Sequence, residues 1–536
     1  MLAIIRNAVI RNVVIQSVII VLVVLLQACG GSGSGSKNPV QKSSAPISSA
    51  AAIISSSGMS SGAHSSIVLS VSSGVSTSID SSSGFGISSI TSSNSIISSS
   101  FNISSGISSS SAMSLPADFP TGTVESLPVL NITTDGGAAI LSKETYVNAS
   151  FTLTGSGITA AEGATEIRGR GNSTWDWVKK PYRLKLSSAT EMLGMPASKH
   201  WVLLANYADK TMMRNDIALM FSRSLGMEFT PGNEYVELMV NGVYQGVYQL
   251  VEHIRVAKER VNIPELKATD TDAEKISGGY LLEVDFRMHK DYCQSAFWET
   301  FCVNGVNMER EATFCVDSNH GMEPFCLDTP ETLLEANWSA QRDYIQKYIT
   351  DTEAALFGEN YADSQSGYAA YIDVDSAVDY YLINELFKNP DGVAASFYLY
   401  KKRSGKLFFG PIWDFDLSMG NAGYDNVGKT TGWHIRPSPW FDRLFQDPAF
   451  KTKVTARWNS LKAEGKLEYI FQYAEARAIW LDKQQHKNYL LWSITDFAPW
   501  IMHGKNGGTG SYAAEVKEMV RWQRERYEWM DSQLNQ

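Results

Sequence analysis

The chain has 536 residues with a formal net charge of −10, and 44% of its residues are hydrophobic. That length allows two or three domains. With no basic stripe and no stacked-aromatic RNA motif, the charge pattern argues against nucleic acid as a partner.

The first 29 residues read as an export leader. Arg6 and Arg11 precede an apolar run, Val13 to Leu26, which ends in Leu26-Gln27-Ala28-Cys29. Small residues before a cysteine form a lipoprotein cleavage box, so Cys29 is expected to carry lipid at the mature N-terminus. The competing reading is an uncleaved membrane helix, for which the run is short. Gly30 and Gly31, rather than an acidic residue, follow the cysteine. In a Gram-negative host this points to the outer membrane or the cell surface.

Residues 30–114 are dominated by serine and glycine, with almost no charge or aromatic side chain. Such text buries too little apolar surface to offset its ordering entropy, so it is expected to be a disordered spacer. Nearly all of the 14 Trp and 23 Tyr lie after it.

Apolar and polar residues alternate from Leu127 to Gly157 around Asp135-Gly-Gly. This predicts a small antiparallel β-unit over 115–160, opening a domain that runs over 161–536. Next come a glycine- and arginine-rich turn, Glu166 to Trp175, and an alternating strand from Lys179 to Leu186. Helical periodicity covers Asp209 to Leu225, with Gly226 as a stop. Tyr235 to Glu252 reads as a hairpin about Asn241-Gly242. A strand from Gly279 to Asp285 leads into an insertion at about 288–330. The insertion holds the other four cysteines, Cys293, Cys302, Cys315 and Cys326. In an exported chain these are disulfide candidates, with three pairings open; zinc is the rival, but no CxxC pair is present.

Helical text from Asp373 to Phe387 breaks at Asn389-Pro-Asp391-Gly392. A strand pair then ends in Trp413-Asp414-Phe415-Asp416, and the C-terminal stretch is mostly helical. Strands first and helices later predict an α+β, two-lobed architecture. Asp391 and the pair Asp414 and Asp416 fall in turns, where side chains can converge on a cleft. A helix, a loop aspartate, a short hairpin and an aspartate before an aromatic is the order of a protein kinase's catalytic half. Ser396 stands five positions after Asp391, where kinases usually carry Asn as a metal ligand. On spacing alone, turn capping or a surface salt bridge is the better account of these carboxylates.

Seven blocks together resemble the CotH kinase family: Arg168-Gly-Arg-Gly-Asn-Ser-Thr-Trp, Lys179-Lys-Pro-Tyr-Arg-Leu-Lys, Leu203-Leu-Ala-Asn-Tyr-Ala-Asp-Lys, Val240-Asn-Gly-Val-Tyr-Gln-Gly-Val-Tyr, Gly278-Gly-Tyr-Leu-Leu-Glu, Asn384-Glu-Leu-Phe-Lys-Asn-Pro-Asp-Gly and Ile412-Trp-Asp-Phe-Asp. The resemblance implies a diverged protein-kinase fold that moves phosphate from ATP to Ser or Thr of exported or cell-surface proteins. It makes Asp391 the catalytic aspartate and Asp414 a ligand of Mg2+ or Mn2+, with Asp416 and Ser396 as helpers. Cations for the phosphates are sought in Arg168, Arg170, Lys180, Arg183 and Lys185, with Lys185 the first choice for a kinase-like lysine. The rival reading is a non-catalytic surface protein that keeps this scaffold to bind a cell-wall polymer or a partner protein.

Overall fold

The computed structural model describes residues 125–295, 302–303, 306–424, 426–496 and 509–536. The leader, Cys29 and the serine-rich spacer lie outside the described residues. No helix among the described residues is long and apolar enough to cross a membrane.

Seven strands close into a barrel: β1 (Val129–Thr134), β2 (Val147–Thr154), β3 (Ala161–Gly169), β4 (Tyr182–Met192), β5 (Met195–Leu204), β6 (Asn233–Val240) and β7 (Val243–Glu252). Their spatial order is β1-β2-β3-β4-β5-β7-β6, sealed by parallel pairing of β1 with β6. Strand alternation supplies the interior: Leu130, Ile132, Phe151, Leu153, Ile167, Leu184, Trp201 and Leu250 are all buried there. The β6–β7 turn has Asn241 at φ 51° and Gly242 at φ 76°, the left-handed pair that a two-residue hairpin requires. The strands of the 115–160 stretch are thus staves of the same barrel as β3, and the boundary drawn at 160 separates two paired strands.

The remaining strands are β8 (Tyr280–Val284), β9 (Cys302–Val303), β10 (Val306–Asn307), β11 (Cys315–Val316), β12 (Phe325–Thr329), β13 (Phe397–Lys401) and β14 (Leu407–Phe409). Five of them form a second sheet in the order β11-β12-β8-β13-β14, while β9 and β10 pair as a separate ladder. The cysteine-bearing insertion is therefore more than a surface appendage, because it contributes β11 and β12 to this sheet. Its cysteines pair as Cys293–Cys302 and Cys315–Cys326.

Among the described residues there are six long helices: α1 (Arg214–Leu225), α2 (Ser339–Phe357), α3 (Val374–Phe387), α4 (Pro448–Ala463), α5 (Lys466–Leu491) and α6 (Tyr512–Leu534). α1 ends on Gly226 at φ 83°, and α3 starts on Asp373, whose side chain accepts the Ser376 N–H at 2.9 Å. α3 is buried nearly all round and packs on α1, α4, α6 and β14. Buried ion pairs tie these pieces: Arg214 to Asp209 at 2.5 Å, Arg477 to Asp216 at 2.8 Å and Arg526 to Glu385 at 2.7 Å. Asp216, the acidic residue within the 209–225 helix, is thus taken by α5. Glu252, at the end of β7, pairs with Arg260 at 2.6 Å and accepts the Gly232 N–H.

Candidate active site

The loop after α3 is built by its own backbone. Lys388 adopts φ 47° and ends the helix, and its Nζ donates to the carbonyls of Asn426, Lys429 and Thr431 at 2.8–3.0 Å. The Asp391 carbonyl accepts the N–H groups of Ala394 and Ala395, at 3.1 and 3.0 Å. Gly392 is obligatory, since a Cβ there would stand 2.7 Å from Asn384 Oδ1. The main chain of Asp391 therefore closes the turn, and its carboxylate has no hydrogen-bond partner among the described residues. That disposes of the turn-capping alternative for this side chain.

Asp414 and Ser396 both hold left-handed backbones, φ 63° and 50°, a costly arrangement for non-glycine residues. The Ser396 hydroxyl favours the charged form of the Asp414 carboxylate. The loop is pinned from α1: Asn215 Oδ1 accepts the Phe415 N–H at 2.8 Å, and Arg214 Nε donates to the Ser418 carbonyl at 3.0 Å. Because Asp209 holds Arg214, the Asn206-Tyr-Ala-Asp209 block and the Trp413-Asp-Phe-Asp416 block are two halves of one support.

A cavity of ≈ 560 Å³ lies between the barrel's outer face and the second sheet. Asp391, Asp414, Asp416 and Ser396 line it from one side, and Arg168, Arg170 and Arg183 from the other. The sequence candidates for acid and for cation are thus brought together from positions more than two hundred residues apart. Two of them are not. Lys185 points to solvent, where it pairs with Glu166 on β3 at 2.8 Å, and Lys180 Nζ donates to the Trp175 carbonyl at 2.5 Å; neither lines the cavity. Lys185 shares a strand face with Arg183 but sits two residues farther along, past the cavity's edge. Lys185 and Lys180, the expected cations, thus lie outside the cavity, which Arg168, Arg170 and Arg183 line. The glycines of the Gly169-Arg-Gly171 turn serve packing: a Cβ at Gly169 would overlap the Trp175 ring at 2.3 Å, and one at Gly171 would meet Thr174 Oγ1 at 2.0 Å.

The acidic wall is charged against its own preference. Burial, and after it the Asp414 carboxylate, pushes Asp391 up to about 7. Burial also raises Asp414, with Arg170, Arg287 and the Ser396 hydroxyl pulling it back. Asp416 stands well above the usual carboxylate range through burial and the neighbouring Asp414 and Asp391. On β8, burial and then Asp285 lift Glu283 to about 8, with Arg287 and the Tyr398 hydroxyl pulling the other way; on β12, burial lifts Asp328 to about 6. The basic wall shows the converse lack. Arg168 Nε, Arg183 Nε and His253 Nδ1 are buried with no hydrogen-bond partner. Donors orphaned on one wall and buried carboxylates only partly offset by Arg170 and Arg287 on the other fit an anionic ligand that arrives with a divalent ion. Among the described residues no three His, Cys, Asp or Glu side chains are grouped to hold a metal by themselves. Magnesium tolerates that, because it keeps waters and takes ligand oxygens beside one or two carboxylates.

Asp285, Arg287, Asp328 and Asn215 also belong to this site and escaped the sequence reading. Asp285 closes a quoted strand, but Asp328 and Arg287 lie in or beside the insertion, outside every recognised block.

The family described as CotH kinase protein matches residues 167–530 of the chain. No curated protein matches it.

Proposed function

The chain belongs to the CotH kinase family, and we propose that it is a metal-dependent protein kinase that transfers phosphate from ATP to Ser or Thr. One observation carries this reading: a single cavity is lined by Arg168, Arg170 and Arg183, the first and last with buried, unpaired Nε donors, on one side and by Asp391 and Asp414 on the other. The barrel would act as the nucleotide-holding lobe and the second sheet with its helices as the catalytic one.

Arg168, Arg170 and Arg183 would bind the phosphate tail; Trp413, whose ring centre lies 5.6 Å from the Arg170 guanidinium, backs that side chain. Asp414, with Asp416 and Ser396, would hold Mg2+ or Mn2+, which supplies charge neutralisation on the phosphates. Asp391 would accept the proton of the acceptor hydroxyl. A carboxylate raised to about 7 is a better base at neutral pH than an ordinary aspartate. The acceptor class is exported or surface protein, reached from a membrane to which the Cys29 lipid would tether the chain.

The non-catalytic reading, binding a wall polymer or partner protein, draws on Ser396 standing where a metal-ligating Asn is usual. One assay separates the two. The full-length chain is incubated with labelled ATP and Mg2+ or Mn2+ beside Asp391→Ala and Asp414→Ala. Label on the chain or on an added protein, lost at least about 10³-fold in both folded variants, is expected. Transfer retained in both variants sinks the kinase reading, and no label with no nucleotide-induced thermal shift moves the assignment to a binding protein.

A further inference from the structure

Arg287 follows β8 in the turn Phe286–Met288 and lines the cavity on the same wall as Asp391 and Asp414. Its Nε donates to both oxygens of Asp285, at 2.8 and 3.0 Å, and Nη2 closes a second bond to Oδ2. The Arg287 N–H also donates to Asp285 Oδ1 at 2.9 Å. This fork-on-carboxylate pairing sets the plane of the guanidinium and spends two of its three nitrogens. Nη1 has no acceptor among the described residues, so a cation of fixed orientation keeps one donor edge in reserve.

The backbone of this turn is held from the insertion. Asn307 Nδ2 donates to the Arg287 carbonyl at 2.6 Å, and Arg310 Nη1 donates to the Met288 carbonyl at 3.1 Å. Asn307 in turn faces Cys302 across the β9–β10 ladder, and Cys302 is bonded to Cys293. Arg287 is thus held at its side chain by Asp285 and at its own carbonyl by Asn307, with Arg310 fixing the next residue's carbonyl. The charge is felt where the chemistry would be. Arg287 is the cation that opposes the upward push on Asp391, and with Arg170 it does the same for Asp414.

Resting on the phosphoryl-transfer reading above, we infer that Arg287 contacts the phosphoryl group as it is transferred, with Asp285 and Asn307 as its positioning residues. In that step the acceptor oxygen bonds to phosphorus while the bond from phosphorus to the leaving nucleoside diphosphate breaks. The hydroxyl proton passes to Asp391. Negative charge stays on the phosphoryl oxygens throughout, and a preoriented guanidinium acts on it without reorganising. Arg287 complements the barrel arginines because it approaches from the acceptor's side of the cavity.

The test uses the full-length chain with ATP and Mg2+. Arg287→Ala should lower kcat about 10²–10³-fold while the ADP·Mg2+ thermal shift persists, and added guanidinium ion should restore at least about tenfold of the loss. Arg287→Lys keeps the charge without the fork and should retain less than about a tenth of the wild-type kcat. Asn307→Ala should lower kcat with little change in KM. Transfer by Arg287→Ala within threefold of wild type overturns the inference. So does wild-type kcat in Arg287→Lys, which would leave Arg287 only the task of neutralising Asp285; that variant decides the matter if Arg287→Ala does not fold. A wild-type chain that transfers no phosphate instead refutes the kinase reading itself, and this inference falls with it.

Discussion

Two sets of buried carboxylates stand within the same fold and are treated in opposite ways. Asp209, Asp216 and Glu385 each meet an arginine at 2.5–2.8 Å. Glu385 also accepts the N–H groups of His434, Ile435 and Arg436, so no lone pair goes unused. Asp391, Asp416 and Glu283 have no such partner among the described residues, and burial pushes all three up. Two of these pairs join elements distant in sequence, α1 to α5 and α3 to α6, and the Arg214 that Asp209 holds reaches the Ser418 carbonyl. The unpaired set lines the cavity. Burying a carboxylate without a cation costs free energy, so a protein that keeps several at one place has left room for charge supplied from outside.

Removing one member of a paired set should hurt folding most. Glu385→Ala leaves Arg526 buried and uncompensated and is expected to destabilise the chain by about 3–5 kcal/mol, read as a lowered denaturation midpoint. A loss below about 1 kcal/mol would break the contrast between the two sets. Asp391→Asn should do the reverse in the absence of metal and nucleotide. Its folded-state value of about 7 lies above the ~3.9 of an unfolded aspartate, so the folded chain binds the proton more tightly. The ionised side chain therefore destabilises the fold above pH 7, and that penalty fades as pH falls toward 4. Asn should raise the melting temperature at pH 8, by no more than about 4 kcal/mol in free energy, with the gain shrinking on acidification and on addition of Mg2+ and ATP to the wild type. An unchanged or lowered melting temperature at pH 8 would mean that Asp391 already has its counter-charge. The smallest effect is expected of Lys185→Ala, an exposed pair with Glu166. It should cost at most about 1 kcal/mol and leave phosphate transfer within about twofold. A tenfold loss of transfer would return this lysine to the site.

The hairpin at Asn241-Gly242, the helix ending at Phe387 and the break that follows were legible in the sequence, because each rests on local rules of turn conformation and periodicity. Asp391 and Asp414 were singled out for the same reason, since turns after a helix and a strand place side chains at element ends. Lys185 shows where local rules stop. Alternation put it correctly on a face with Arg183, but no pattern along a strand says how far a cavity extends. Arg287 and Asp328 had no local signal at all, because what matters about them is the partner across the sheet and the insertion that holds them.

By itself the sequence determined the Asn241-Gly242 hairpin, the helix that ends at Phe387, the membership of Asp391, Asp414 and Arg170 among the chemical candidates, and the family. Only the tertiary structure decided that seven strands close on themselves, which cysteines pair, and which buried acids receive an arginine. Turn geometry and side-chain periodicity act over a few residues and are written locally. Burial and charge pairing depend on surfaces that meet only when the barrel and the second sheet come together.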